Sequence, residues 1–179
     1  DLDEEEDLAA RVMEKMNSEN DSVLKDRIKV CDGRLPKGAP ATFLNNAKMV
    51  KLITDWWKVA MKNPSSWKCK GTDNNIYTFL NDYLTAYKEV FPEAWDNKNY
   101  VLTKTMGFDI IFSICNQLTL NAVDISGVNR LPDKDAFVSI LQKVFFTKDD
   151  SGNMVPVEVE LDGENAVPFN WESSIYGSH

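Results

Sequence analysis

The sequence predicts a mainly α-helical domain of about five helices, closed by a short C-terminal β-hairpin or extended tail. Three observations lead there. Apolar residues recur at three- and four-residue spacing through most of the chain, the period of helices that bury one face. The stretches between these runs carry helix-stop and helix-start residues: Asn63-Pro64-Ser65-Ser66, Phe91-Pro92 and Pro132-Asp133. Beyond Phe146 the apolar period falls to two, as in a strand. Length and composition agree: 179 residues, 43% hydrophobic, with 8 glycines and 7 prolines, can build one core and are too apolar for disorder. No run of about 18 apolar residues is present, so no membrane span is expected. The expected organisation is a helical domain over 1–148 and a hairpin or extended tail packed on it over 149–176. Gly177-Ser178-His179 reads as a tag remnant.

The elements follow in order. Residues 3–17 read as an acidic amphipathic helix, with Leu8, Val12 and Met16 on one face. The acids from Asp3 to Asp7 sit where the helix dipole favours negative charge. Residues Asn17 to Ser22 break that pattern, and a loop with Gly33, Pro36, Gly38 and Pro40 follows over 31–41. A helix over about 42–62 puts Phe43, Ala47, Val50, Ile53, Trp57 and Ala60 on its buried face. The next helix, 73–91, has the densest periodicity, from Ile76, Phe79 and Leu80 to Val90 and Phe91. Thr72 or Asp73 caps it and Pro92 ends it. The polar loop from Asp96 to Asn99 leads to a helix over 103–120. There Met106, Ile110, Ile111, Phe112, Ile114, Cys115 and Leu118 cover most of the circumference, which predicts a central position. A last helix runs from Pro132-Asp133 to Phe146, with Ala136, Phe137, Ile140, Leu141, Val144 and Phe145 on its face. Then Val155, Val157, Val159 and Leu161 alternate with Pro156, Glu158 and Glu160. Asp162-Gly163 signals a hairpin turn, with a return over 166–169, and Pro156 and Pro168 confine both strands to edge roles.

The sequence offers little for catalysis. The single histidine, His179, falls in the tag remnant, which removes Ser-His and Cys-His catalysis and histidine metal sites. Cys31, Cys69 and Cys115 are too sparse and too far apart for a disulfide framework or a zinc site. Their pattern suits a reducing compartment, so a cytoplasmic location is expected and the Asn20-Asp21-Ser22 sequon is discounted. Cys115 reads as a small core residue. Cys69, between Lys68 and Lys70, reads either as an inert surface cysteine or as a thiol with a lowered pKa. No phosphate-binding glycine loop occurs. Asp149-Asp150-Ser151-Gly152-Asn153 resembles part of a calcium loop, but Met154 stands where a glycine is required. Ser65-Ser66-Trp67-Lys68 matches S-x-x-K by letter alone. Asp109, the one charge of its helix, reads as a partly exposed acid helped by the helix dipole, with a catalytic carboxylate as the alternative. The expectation is a non-enzyme with no cofactor and no metal.

Charge supplies the one positive signal. The chain carries a net charge of -8, which by itself argues against nucleic acid. That charge is uneven: residues 21–70 sum to +7, the first ten to -6 and residues 151–179 to -5. The basic segment also holds Trp56, Trp57 and Trp67, and basic residues interleaved with aromatics can bind phosphates and bases. The candidate nucleic-acid contacts are Lys48, Lys51, Lys58, Lys62, Trp67, Lys68 and Lys70. The alternative places Trp57 in the core and the lysines on a solvated helix face.

Three segments carry a resemblance. The stretch from Met16-Asn17 through Asp21-Ser22-Val23-Leu24 to Arg27-Ile28 resembles an N…DS-x-L…RI segment of the DGQHR-domain family, which includes DndB-like proteins associated with DNA phosphorothioate modification. Tyr83-Leu84-Thr85-Ala86 through Phe91-Pro92-Glu93-Ala94-Trp95 resembles that family's YL-x-A…K-x-x-FP-x-x-W helix end. Leu102-Thr103-Lys104-Thr105-Met106-Gly107 resembles its L-x-KT-x-G helix start. Order and spacing agree over about residues 8–120. The naming motif itself is absent; Cys31-Asp32-Gly33-Arg34 only echoes it. In the family that motif lies in an N-terminal ParB-like part, and a chain that starts at Asp1 reads as cut from something longer. The resemblance therefore implies the helical C-terminal part of a prokaryotic or phage-defence protein linked to DNA modification, with no motif residue carried over. DNA, the ParB-like part of the same protein and a second copy are the partners it implies. The function expected is a non-catalytic module supporting DNA binding or its regulation. The alternative is a protein-interaction or oligomerisation scaffold, suggested by the acidity and by five tryptophans and nine phenylalanines.

Overall fold

Among the described residues, five helices form where the apolar period predicts them. The structure, a computed structural model, is described for residues 2–30, 37–63, 71–126, 131–160, 163 and 166–172. The helices are α1 (Leu2–Ser18), α2 (Asn46–Lys62), α3 (Asp73–Val90), α4 (Thr105–Ser126) and α5 (Lys134–Phe145). Six short strands accompany them: β1 (Ile28–Lys29), β2 (Leu44–Asn45), β3 (Phe146–Lys148), β4 (Met154–Pro156), β5 (Glu158–Val159) and β6 (Val167–Pro168). The protein is mainly α with small C-terminal strand pairs, as its sequence predicts.

Capping sets several of the boundaries. The Asn45, Thr72 and Asp133 side chains accept the backbone N–H of Lys48, Asn75 and Ala136, starting α2, α3 and α5. The expected start of α2 at residue 42 moves to Asn46, because Leu44-Asn45 pair in parallel with Ile28-Lys29 instead. The α4 helix runs to Ser126, past the expected end at 120.

α1 packs on α2 and α3, α2 also on α4, α4 on α5, and α5 on α3. The helices so close a ring in the order α1, α2, α4, α5, α3. This corrects the expectation for α4, which is one stave of the ring and not its axis. Two neighbours cover a wide arc of it but leave Asp109, Ser113 and Gln117 outward, and Met106 is 46% exposed. The predicted face of α2 is also rotated. Met49, Leu52, Ile53, Trp56, Trp57 and Ala60 are buried, whereas Ala47 is exposed and Val50 half-buried. On α5, Val144 is exposed rather than buried, since the face turns with Phe137, Ile140, Leu141 and Phe145.

Aromatic rings fill the middle of the ring of helices. Trp56 stacks on Phe79 at 5.5 Å, Phe79 meets Phe137 edge-on at 5.5 Å, and Phe137 meets Tyr83 at 5.0 Å. Tyr83 continues to Tyr87 at 5.1 Å, and Tyr87 to Phe91 at 6.3 Å. The column ends on Phe145, Phe169 and Trp171. Its polar atoms are largely satisfied internally: the Tyr83 and Tyr87 hydroxyls are 2.9 Å apart, and Tyr83 also donates to the Ile111 carbonyl of α4.

The C-terminal segment belongs to this core. β3 and β4 form an antiparallel hairpin, and β5 pairs antiparallel with β6, while Asp162 of the predicted turn lies outside the described residues. Every sheet has two strands, so Pro156 and Pro168 lie in edge strands as predicted. Val157 N–H donates to the Phe145 carbonyl at 2.9 Å and Val101 N–H to that of Trp171 at 2.8 Å. Among the described residues no helix is long and apolar enough to cross a membrane.

Candidate functional site

The lysine stripe of α2 is built as the spacing predicts, but its charge is largely matched in place. Lys48 leans toward α4 and meets Asp109 at 2.6 Å. Lys51 pairs with Asp55 one turn on, at 2.6 Å, and Lys58 reaches Glu5 of α1 at 3.6 Å. The Asp55 bond holds the Lys51 ammonium above its ordinary pKa. Lys62 is exposed, without an ion pair among the described residues. Trp67, Lys68 and Lys70, and with them Cys69 and Cys31, lie outside the described residues.

Trp56 and Trp57 do not join this stripe. Trp56 and Trp57 are both buried, and Trp56 belongs to the aromatic column. Asp109 is a partly exposed acid, as expected, whose specific partner is Lys48. Cys115 is a buried core thiol, its pKa pushed well up by burial. Asp149 uses its carboxylate locally: Oδ1 accepts the N–H groups of Ser151 and Asn153, both at 2.9 Å, at the tip of the β3–β4 hairpin. Gly152 completes that turn at φ 81°. Among the described residues no three histidine, cysteine or carboxylate side chains cluster as a metal site.

Three depressions mark the described surface. One of about 510 Å³ between α1 and α2 is lined by Glu6, Lys51, Asp55 and Lys58 and so carries both signs. A second, of about 350 Å³ between α2 and α4, has Leu52, Trp56, Val59 and Phe112 as its apolar part, beside the paired Asp55 and Asp109. The third, of about 430 Å³, lies between the end of α3 and the tail. Phe91, Tyr100, Phe146, Phe169 and Trp171 line it. Glu93 and Glu172 stand exposed at its rim, with no ion-pair partner among the described residues. The volume falls within the range of small-ligand sites, about 300–1,000 Å³.

That groove is absent from the sequence reading. Its residues come from five separate stretches, and only the alternation of Val167, Phe169 and Trp171 hints that the tail turns aromatic side chains inward.

Residues of the segments read as resembling a family make structural contacts. Asn17 brackets Ile28, donating to its carbonyl at 3.1 Å and accepting its N–H at 3.0 Å. Asp21 accepts the Tyr77 hydroxyl at 2.7 Å. Arg27 forks onto Asp96 and lies 4.7 Å above the Phe43 ring. Comparison with protein-family models, with curated proteins and with solved structures finds no match.

Proposed function

We propose that this chain is a non-catalytic binding module whose partner is another polypeptide, within a DGQHR-domain, DndB-like protein of DNA modification or defence. One observation carries the choice of a protein partner over DNA. Of the four described candidate lysines, Lys48, Lys51 and Lys58 already face carboxylates. A phosphate would have to displace these acids, in a chain of net charge -8. The aromatic groove, by contrast, is lined by half-buried aromatic residues and by acids without an ion pair among the described residues, which suit a polypeptide better than a polyanion.

Direct DNA contact is the second reading, favoured by the +7 of residues 21–70 and the exposed Lys62. Anisotropy titration of a labelled duplex at low and moderate salt separates the two. The protein-binding reading expects affinity no tighter than about 100 µM even at low salt, the weak end of non-specific binding. Tighter binding that falls steeply with salt and is weakened by Lys58→Gln with Lys62→Gln overturns it in favour of DNA.

A further inference from the structure

We infer that the groove between the end of α3 and the tail receives an arginine side chain of a partner polypeptide, its guanidinium stacked on the groove's aromatic rings and paired with Glu93 or Glu172. The inference rests on the protein-binding reading and supplies the chemistry of the partner.

The groove's own composition argues for a cation. Phe91, Phe146, Phe169 and Tyr100 line the groove and are half-buried, so each keeps part of its surface accessible. The face of an aromatic ring is electron-rich and attracts a cation. The two carboxylates at the rim add negative charge, and among the described residues no lysine or arginine lines the groove to cancel it. Arginine suits this setting better than lysine, because a planar guanidinium can stack on a ring and fork onto a carboxylate at once.

The chain also contains a worked example of the contact. Arg27 lies over Phe43 at 4.7 Å, donates to Asp96 and gives a further hydrogen bond to the Ala41 carbonyl at 2.8 Å. The groove presents the same two ingredients, ring and carboxylate, without the arginine. Strand addition is disfavoured there, since Pro92 and Pro156 on its margin have no N–H to offer a ladder. Recognition therefore falls to side chains. The Trp171 indole N–H, buried and without a hydrogen-bond partner among the described residues, supplies a reporter in the groove's lining.

The test is an NMR titration of the 179-residue chain with two uncharged-terminus peptides, Gly-Ser-Gly-Ser-Arg-Ser-Gly-Ser-Gly and the same peptide with glutamine for arginine. The arginine peptide is expected to shift the Tyr100 and Glu172 amides and the Trp171 indole saturably, and the glutamine peptide to leave them still. Glu93→Gln with Glu172→Gln, both at exposed positions, is expected to weaken binding about 5-fold or more. Glu4→Gln with Asp7→Asn, at the exposed acidic start of α1, is expected to change it less than about 2-fold. Equal shifts from both peptides, no shift from either, or equal losses in the two variants would overturn the inference. A chain that binds neither duplex nor arginine peptide keeps the protein-binding reading and loses the arginine groove. Duplex binding through the α2 lysines removes the reading itself.

Discussion

At the scale of the residue, a missing methyl group determines how α4 begins. A Cβ on Gly107 would lie 2.2 Å from the carbonyl oxygens of both Val101 and Leu102, which are backbone and cannot swing away. Gly107→Ala is therefore expected to cost about 2–4 kcal/mol in denaturant unfolding, through displacement of the helix start. Asp82 acts in the opposite sense. Burial, then the nearby Asp133, raise its pKa above the ordinary 3.8, although the Lys134 backbone N–H bonds it. An acid with a raised folded-state pKa weakens the fold as pH climbs through that value. Asp82→Asn should thus stabilise at pH 7, by less than about 1 kcal/mol once solvent screening of this half-buried group is allowed for. The gain should vanish in acid, where Asp82 is already neutral. Melting curves across pH check both the sign and its disappearance.

At the scale of the element, polar residues that break a helical pattern turn out to fasten one segment to another. The turn after α1 is pinned to α3 by a reciprocal clasp: Asn81 donates to the Asp21 carbonyl at 3.0 Å and accepts the Val23 N–H at 2.9 Å. Asn81→Ala removes both bonds at a half-buried site and should cost about 1–3 kcal/mol, with amide exchange accelerated at residues Val23 and Leu24 before the helices open. Helices were legible because burying one face leaves a period, and because caps such as Thr72 and Asp133 sit where their chemistry requires. The orientation of α2 was less legible. Trp56 and Trp57 are adjacent, about 100° apart on the helix, and period alone cannot say that neighbours on both sides bury both. Asn17, Asp21, Arg27 and Gly107, which lie in the segments read as resembling a family, each have a structural task in this fold.

At the scale of the whole molecule, the aromatic surplus that suggested an interaction surface is mostly spent inside. Trp56, Trp57, Trp95 and Trp171 are all buried, and the far end of the aromatic column opens at the groove beside the tail. No local pattern could foretell that groove, because it exists only once residues 90–94, 100, 146 and 156, and 169–172 meet. The charge reading changes at this scale too: α2 lysines that form a basic stripe in one dimension face Asp109 and Glu5 of neighbouring helices in three. On the proposed reading the working surface is the aromatic groove and not the lysine face. Parallel NMR titrations with the arginine peptide and with a DNA duplex at low salt test it most directly. Peptide-induced shifts at Tyr100, Glu172 and the Trp171 indole are expected, with no duplex-induced shifts along α2. Shifts along α2 with duplex, and a groove unmoved by the arginine peptide, would contradict it.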